Sequence, residues 1–278
     1  MASHPHSLSL FPPTREAALE RLHEFVPQAG RAYAAERNAD PGPGRKMNVS
    51  MLSPYLRYRI VTEREVIATV LQKHSASQAE KFIQEVFWRT YWKGWLQMRP
   101  GVWADFVRER DVDNELCQEN SGLSRALEQA LKGQTGIECF DDWVEELVAT
   151  GYLHNHARMW FASIWIFTLK LPWTLGADFF LRHLLDADPA SNTLGWRWVA
   201  GIQTRGKTYL ARPDNIEKYT NGRYRPTGLA ERAEPIRDEA PPVKQALPEI
   251  QEYSGERKAF LLIHGDDFSA HEWISRKW

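Results

Sequence analysis

The stretch that decides the fold runs from Thr150 to Trp198 and reads TGYLHNHARMWFASIWIFTLKLPWTLGADFFLRHLLDADPASNTLGWRW. Most of it consists of apolar runs with helical spacing, but polar side chains lie among the Trp, Leu, Phe and Met residues. A polar group that is buried without a partner costs several kcal/mol. We therefore predict that these helices enclose a ligand that satisfies the polar groups, which are Asn155, Arg158, Asp186, Asp188 and Asn192.

The rest of the chain also predicts helices. Thr14 is placed to cap a helix that continues to about residue 28, and Thr62 with Glu65 predicts a capping box at the start of another. Ser75 to Met98 predicts one long helix. Further helices are predicted at 31–37, from Ser53 onward, and at 124–132, 139–150, 154–169 and 175–185. Because no segment before residue 255 alternates apolar and polar residues, the predicted fold class is all-α.

Composition divides the chain into three parts. Residues 1–13 predict a loose N-terminal arm, residues 14–229 a helical domain, and residues 230–278 a charged, Pro-rich tail with the composition of a linker. Within the tail, KAFLLIHGDDF at 258–268 predicts one strand followed by a turn. That strand is either an edge strand or the first strand of a further domain that this sequence does not contain.

Composition and charge also exclude several classes of protein. The 278 residues carry a net charge of −1, so any binding of nucleic acid needs a local basic patch. Cys117 and Cys139 lack CxxC spacing, which argues against a zinc site, an iron–sulfur cluster and a disulfide framework, and no metal is expected. The N-terminus does not have the pattern of a signal peptide, and the apolar run at 159–169 is too short to cross a membrane. We predict a cytoplasmic protein with no membrane partner.

The polar residues of the central stretch form one candidate constellation. Arg158, if buried, needs a carboxylate, and Asp186 or Asp188 after a later helix is its natural partner. Asn155 lies three residues before Arg158 and shares its helix face. The alternative to a ligand site is a structural ion pair, with Asn192 as a loop or helix-cap residue.

Two more candidate sites lie earlier in the chain. NVSMLSP at 48–54 is a Ser-rich turn that feeds a helix, where free N–H groups suit a phosphate, although many helices simply start with Ser-Pro. Glu85, Trp88 and Arg89 are three and four residues apart, so they place a carboxylate, an indole and a guanidinium on one helix face. Taken alone, that set is also typical of a half-buried helix surface.

Together these sites resemble the FAD-binding domain of the DNA photolyase and cryptochrome family. The resemblance covers about residues 14–225, and the last two of its blocks are highly specific. The matching blocks, in family order, are SMLSPYL at 50–56, FIQEVFWR at 82–89, TG at 135–136, TGYLHNHARM at 150–159 and GADFFLRHLLDADPASNTLGWRW at 176–198. Only a short helical arm precedes the first block, so the sequence resembles a short member without the family's N-terminal α/β antenna domain.

The resemblance implies FAD as the cofactor and assigns the residues that hold it. The turn formed by Ser50, Met51, Leu52 and Ser53 matches the one that holds the FAD diphosphate, and Tyr33 and Arg37 resemble a Tyr and an Arg upstream of it. Around the flavin ring, Arg158 and Asp186 match a salt bridge beside the ring. Asp188 matches an Asp near the O2/N3 edge, and Asn192 matches the residue that faces N5. Arg89 and Asn155 match residues of the pocket wall.

The resemblance also implies residues for substrate and electron transfer. Glu85 and Trp88 match a carboxylate and a Trp that contact the pyrimidine dimer, Met159 matches a substrate-side Met, and Trp198 matches a substrate-stacking Trp. Trp196 and Trp173 match the inner two members of the tryptophan chain that reduces the flavin in light. Asn at position 192 resembles the repair enzymes, because plant and animal cryptochromes tend to place Asp or Cys there.

The sequence departs from the family pattern in three places. The outer tryptophan of the chain aligns near Asn120, and Trp143, Trp160 and Trp165 are candidates to replace it. A family Arg that contacts DNA phosphate is His156 here. The segment after the last matching block is replaced by a basic one, since residues 196–225 hold seven Lys and Arg and two acids. We interpret this segment as a DNA-facing patch, and a solvated loop is the alternative.

The resemblance implies light-dependent repair of pyrimidine dimers in DNA by electron transfer from reduced FAD. Small size and the lack of an antenna domain favour single-stranded DNA, in which flipping a base costs less. The alternative function is a cryptochrome-like photoreceptor or signalling flavoprotein without repair activity. A third interpretation is a fragment of a longer protein.

Overall fold

The structure, a computed structural model, describes residues 10–45, 47–236, 242–249 and 265–269. Within these ranges the chain is helical and contains no sheet, which confirms the predicted all-α fold class. The helices, in chain order, are α1 (Arg15–Phe25), α2 (Arg31–Glu36), α3 (Ser53–Arg57), α4 (Glu63–Leu71), α5 (Glu80–Gln97), α6 (Pro100–Glu119), α7 (Ser121–Leu131), α8 (Glu138–Thr150), α9 (Asn155–Ser163), α10 (Trp173–His183), α11 (Pro189–Val199) and α12 (Pro213–Tyr219).

Local capping chemistry sets several helix ends as predicted. Thr14 accepts a hydrogen bond from the Ala17 N–H at the start of α1. At the start of α4, Thr62 and Glu65 form the predicted capping box, with the Glu65 N–H donating to Thr62 Oγ1 at 3.3 Å and the Thr62 N–H donating to Glu65 Oε2 at 2.9 Å. Gly151, with φ of +70°, ends α8 in the left-handed conformation that glycine tolerates best.

Some predicted boundaries are wrong. The long helix begins at Glu80 rather than at Ser75, because Ser75 and Gln78 bond each other in a separate turn. The helix predicted at 154–169 is α-helical only to Ser163 and continues as a π-helical turn, Ile164–Thr168. Three helices, α6, α11 and α12, are not among the predicted ones. Each begins at a proline, whose fixed φ suits the first turn of a helix.

Two large apolar clusters and a small one, formed by Leu96, Val102, Ala190 and Leu194, build the interior of the described chain. The larger of the two large clusters joins α6 to α12 and contains the fully buried Trp143, Trp160 and Trp165. The smaller of the two joins α1 to α5 and includes Tyr55 and Phe82. The central stretch belongs to both, because Tyr152 lies in the smaller cluster and most of α9 to α11 in the larger. Residues projecting where the clusters meet are therefore placed to form a site.

The described parts of the tail lie against the helical body. Ala230, Ala233 and Ile236 pack on the larger cluster, and the Ile236 N–H donates to Ala200 O at 3.0 Å. Farther on, the Gln245 N–H donates to Met98 O at 2.7 Å. The strand predicted at 258–268 falls almost entirely outside the described residues. The domain boundaries at 13/14 and 229/230 stay predictions.

No helix in the described residues combines the length and the apolar character that crossing a bilayer requires. No group of three or more His, Cys, Asp and Glu side chains in the described ranges is arranged to hold a metal ion.

Candidate flavin site

The loop between α10 and α11 carries two buried carboxylates, and each meets an arginine. Arg158, from α9, binds Asp186 in a bidentate pair, with Nη1–Oδ1 and Nη2–Oδ2 distances of 2.9 Å. Arg89, from α5, binds Asp188 with an Nη1–Oδ2 distance of 2.6 Å. The sequence proposed either Asp for Arg158, and the tertiary structure assigns one arginine to each.

The Arg158–Asp186 pair is held in the charged state. Burial raises the pKa of the Asp186 carboxyl, but the Arg158 charge and its two hydrogen bonds more than offset this, so the net pKa is lowered. Arg158 is anchored further by donating from Nε to Leu153 O at 2.8 Å. Arg158 is therefore a fixed positive charge, balanced by Asp186, beside the loop that carries both carboxylates.

Asp188 has a second function, because it is the N-cap of α11. Its Oδ1 accepts hydrogen bonds from the Ala190 and Ser191 N–H groups, both at 2.9 Å. The loop is also held by Arg57, whose Nε donates to Ala187 O at 2.8 Å. Arg57 is not among the predicted site residues. No sequence signal marks it, because its partner is a backbone carbonyl 130 residues away.

Asn192 lies in the first turn of α11 and is buried. Its Nδ2 donates to Ala177 O on α10 at 2.8 Å. This bond fixes the carboxamide and uses one of its two N–H groups. One N–H and the Oδ1 lone pairs remain to meet a ligand.

The turn before α3 has the backbone geometry of an anion site. Met51 has a φ of +51°, which is unusual for a residue other than glycine, and Leu52 follows in the right-handed region. Alternation between these two regions turns successive N–H groups toward the same side, an arrangement that binds anions. The Leu52 N–H is also 3.4 Å from Ser50 Oγ. The predicted Ser50–Ser53 turn could therefore hold a phosphate group.

A cavity of about 720 Å³ adjoins this turn. Ser50 and Met51 form one wall, and Tyr152, Arg21 and Arg45 contribute others. The lining carries Arg21 and Arg45 together with Glu24 and Glu146, so the two guanidinium groups are the parts of the wall that could bind a diphosphate. Tyr152 connects the cavity with the ion pair, because the Arg158 guanidinium carbon lies 5.5 Å from the centroid of its ring.

Tyr33 and Arg37, the two predicted residues upstream of the turn, have different surroundings. Tyr33 is buried with its ring edge-on to Phe82, at a centroid separation of 5.3 Å, and burial raises the pKa of its hydroxyl. Arg37 binds Glu85, with an Nη1–Oε1 distance of 2.5 Å. Burial raises the pKa of Glu85, and Arg37 offsets only part of that rise.

The residues predicted to face substrate lie at partly open positions. Trp88 is 47% exposed and stacks on Trp92 at a centroid separation of 5.5 Å. Trp198 is half-buried and stacks on Tyr209 at 5.6 Å. Met159 is half-buried, and Asn155, at the start of α9, is exposed.

Trp196 and Trp173 are both buried in the larger cluster. The Trp196 ring lies at right angles to Trp165 at a centroid separation of 6.2 Å, and its indole N–H has no partner. Trp173 contacts Phe106 at 5.5 Å. The aligned outer position, Asn120, is the N-cap of α7 and carries no aromatic ring.

The basic segment carries less free charge than its composition indicates. Arg212 pairs with Asp214, Arg223 with the buried Asp40, and Arg225 with Glu217. His156 is buried, with Nδ1 at 2.8 Å from Asn38 O and Nε2 at 3.2 Å from the Tyr209 hydroxyl. It is therefore a structural residue rather than an altered phosphate contact.

A model of the FAD binding domain of DNA photolyase matches residues 82–254. This chain belongs to the DNA photolyase family. A deoxyribodipyrimidine photo-lyase of Thermus thermophilus is 33% identical over 207 residues, which cover 73% of this chain and 46% of that protein. The class III photolyase of Agrobacterium tumefaciens has a similar structure, with a TM-score of 0.63 and 27% identity over 80% of this chain and 46% of that one. The cryptochrome of Synechocystis supports the fold. Its TM-score is 0.61, with 23% identity over 75% of this chain and 43% of that one.

The cofactor of this photolyase-family chain is FAD. The residues fit it: the Met51 turn and the nearby Arg21 and Arg45 suit the diphosphate, and the Arg158–Asp186 pair with the fixed Asn192 carboxamide suits the polar edge of a flavin. The chain spans less than half the length of the curated photolyases that it matches. What those longer proteins do is therefore carried to this chain only as a proposal.

Proposed function

We propose that this protein repairs cyclobutane pyrimidine dimers in DNA with blue light, using reduced FAD as the electron donor. The observation that carries the proposal is the convergence of Arg158–Asp186, Arg89–Asp188 and Asn192 at one loop. The exposed Trp88 lies on the same helix as Arg89, one position before it. The names of the matching relatives, deoxyribodipyrimidine photo-lyases, agree with this activity.

In the proposed complex, the chain's own groups hold the cofactor and set its charge. The Ser50–Ser53 turn binds the diphosphate, and Tyr33, Asn155 and Asp188 contribute to the pocket. Arg158 supplies a fixed positive charge that stabilises negative charge nearby. Asn192 supplies both a donor and an acceptor, because only one of its N–H groups is used by Ala177 O. Bound and reduced FAD supplies the electron for repair.

The proposed substrate is DNA whose damaged bases are flipped out of the strand. Trp88, Met159 and Trp198 contact the flipped pyrimidines, and stacking on an aromatic ring is worth about 1–3 kcal/mol per base. Glu85, a half-buried carboxyl group about one helical turn before Trp88, would hydrogen-bond the dimer. The protein would act in the cytoplasm, and single strands are the expected substrate because they need no unpairing.

The test is a repair assay. A dimer-containing oligonucleotide, single- or double-stranded, is incubated under blue light with protein that carries reduced FAD. Wild type should restore thymines, and its binding should weaken as salt increases. The Glu85→Ala variant should lose more repair than binding, because the carboxyl bonds the dimer during electron transfer. Glu80→Ala, on the exposed first turn of the same helix, is the control. Wild type that binds neither DNA form and restores no thymines would contradict the proposal.

A second candidate function is a flavin photoreceptor without repair activity. Two observations favour it: Glu85 already has a partner in Arg37, and several arginines of the basic segment are paired with acids. The same assay separates the two functions. A photoreceptor would change its flavin redox state in light and leave the dimer intact.

A further inference from the structure

A line of aromatic rings leads from the candidate flavin site toward the surface. Trp196 lies one turn after Asn192 on α11, and its ring rests against α10 at Gly176. A Cβ added to Gly176 would come within 2.3 Å of Trp196 Cη2, so only glycine allows this approach. Trp173 precedes Gly176 by three residues on α10, which is about one helical turn. Trp196 therefore meets α10 about one helical turn after Trp173.

The line continues from Trp173 to α6. The Phe106 ring centroid is 5.5 Å from that of Trp173 and 5.3 Å from that of Trp103. Phe106 and Trp173 are buried, whereas Trp103 is half-buried and reaches solvent. Among the residues that the structure describes, none accepts a hydrogen bond from the Trp103 indole N–H. That proton is therefore available to water.

The other candidates for the outer position do not reach solvent. Trp143, Trp160 and Trp165 have no exposed surface, so none of them can meet a reductant from outside. The aligned residue, Asn120, has its side chain bonded to the Gly122 and Leu123 N–H groups as a helix cap.

We propose that Trp103 is the terminal electron donor for light-driven flavin reduction in this protein, with Phe106 as the spacer between it and Trp173. The proposal rests on the proposed function, because it concerns how the flavin is reduced. A benzene ring is much harder to oxidise than an indole, so Phe106 sets the distance and packing between the two tryptophans and does not itself lose an electron.

Each step moves one electron. When Trp196 has given an electron to the photoexcited cofactor, Trp173 refills it, and Trp103 then refills Trp173. The oxidised Trp103 releases its indole proton to water and becomes a neutral radical. A thiol in solution returns one hydrogen atom to the indole nitrogen, and two thiyl radicals combine to a disulfide. The products are the reduced cofactor, intact tryptophans and oxidised thiol.

The experiment compares FAD-loaded wild type with Trp103→Phe after a blue-light flash in dithiothreitol. Transient absorption should show early oxidation of tryptophan in both proteins. The long-lived, deprotonated tryptophan radical should be lost in Trp103→Phe, and accumulation of reduced FAD under steady light should slow. Trp196→Phe removes the first step and so gives the lowest expected rate of FAD reduction. In flavin-free protein, acrylamide should quench less of the indole fluorescence of Trp103→Phe than of wild type, because an accessible indole has been removed.

The matched control is Trp95→Phe, a half-buried tryptophan on α5 that packs against the same small apolar cluster as Trp103, which includes Leu96 and Val102, and has no ring contact with Phe106 among the described residues. It should keep the long-lived radical. The assignment would be overturned if the tryptophan radical lived as long in Trp103→Phe as in wild type. It would also be overturned if the long-lived radical were lost in Trp95→Phe. If Trp103→Phe does not fold, Trp103→Tyr provides the test, since it should give a tyrosyl radical. A tryptophan radical as the terminal species in Trp103→Tyr would also overturn it. Repair by wild type reduced chemically with dithionite tests the proposed function separately.

Discussion

The single pair that matters most at the residue scale is Arg158 with Asp186. Asp186 is buried, Arg158 is partly exposed, and each satisfies the other's charge in a bidentate geometry. Removing one member of such a pair leaves a buried charge without a partner, which costs more than the pair contributes when intact. The sequence suggested the pairing, and the bonded distances now allow its effect on the cofactor to be tested.

We expect Asp186→Ala to lose most of its bound FAD, because Arg158 would be left uncompensated at a cost of roughly 3–5 kcal/mol. The measurement is the ratio of flavin to protein absorbance after purification and after reconstitution with FAD. Asp178→Ala, on α10 with a partly exposed carboxylate bonded to Arg182, should keep its flavin. Equal flavin content in wild type and Asp186→Ala would show that the pair does not support the cofactor.

At the scale of elements, α11 depends on how it begins. Asp188 caps its first turn and binds Arg89 of α5 with the other carboxylate oxygen. One side chain therefore fixes both the start of the helix and its contact with α5. Because Asn192 and Trp196 lie on this helix, an error at residue 188 would displace the candidate site as well as the helix.

Substitutions at residue 188 can separate the two functions. Asp188→Asn keeps an oxygen that can cap the helix but loses the ion pair, whereas Asp188→Ala loses both. We expect Asp188→Ala to unfold more easily than Asp188→Asn by about 0.5–2 kcal/mol, which is the usual contribution of an N-cap. Chemical denaturation followed by circular dichroism gives the two free energies of unfolding. If the variants were equally stable, the cap would contribute nothing here.

At the scale of the whole molecule, a polar cluster lies where α8 meets the chain segment after α2. Glu146 lines the cavity beside the Met51 turn. Burial and the nearby Asp40 raise its pKa to about 7, while Arg223 partly opposes them. The folded protein therefore binds a proton that the unfolded chain releases near pH 4.5. This stabilisation is complete below that pH and is lost as pH rises toward 7.

We expect Glu146→Gln to reduce the loss of stability between about pH 4.5 and 7, since a neutral amide cannot ionise. At pH 8 the variant should be the more stable protein, by at most about 3 kcal/mol on the basis of that pKa shift. Melting temperatures measured across this pH range provide the test. Glu145→Gln, on an exposed position of the same helix, should follow wild type. Parallel curves for wild type and Glu146→Gln would contradict the assigned protonation.

The sequence by itself determined the all-α class, the capping box at Thr62–Glu65 and the family's FAD-binding pattern. These are local properties, because each depends on residue type and on spacing within one segment. It did not reveal α6, α11 and α12 as helices, since a proline that starts a helix looks the same in sequence as one that ends it. The candidate site residues were also named from sequence, but their roles stay predictions.

Only the tertiary structure decided which groups meet. It paired Arg158 with Asp186 and Arg89 with Asp188, it brought Arg57 to the Ala187 carbonyl, and it bonded most arginines of the basic segment to acids. It also linked Trp103 to Trp173 through the Phe106 ring, although the two tryptophans are far apart in the chain. Such contacts depend on how helices from distant segments pack, and no spacing within a single segment specifies them.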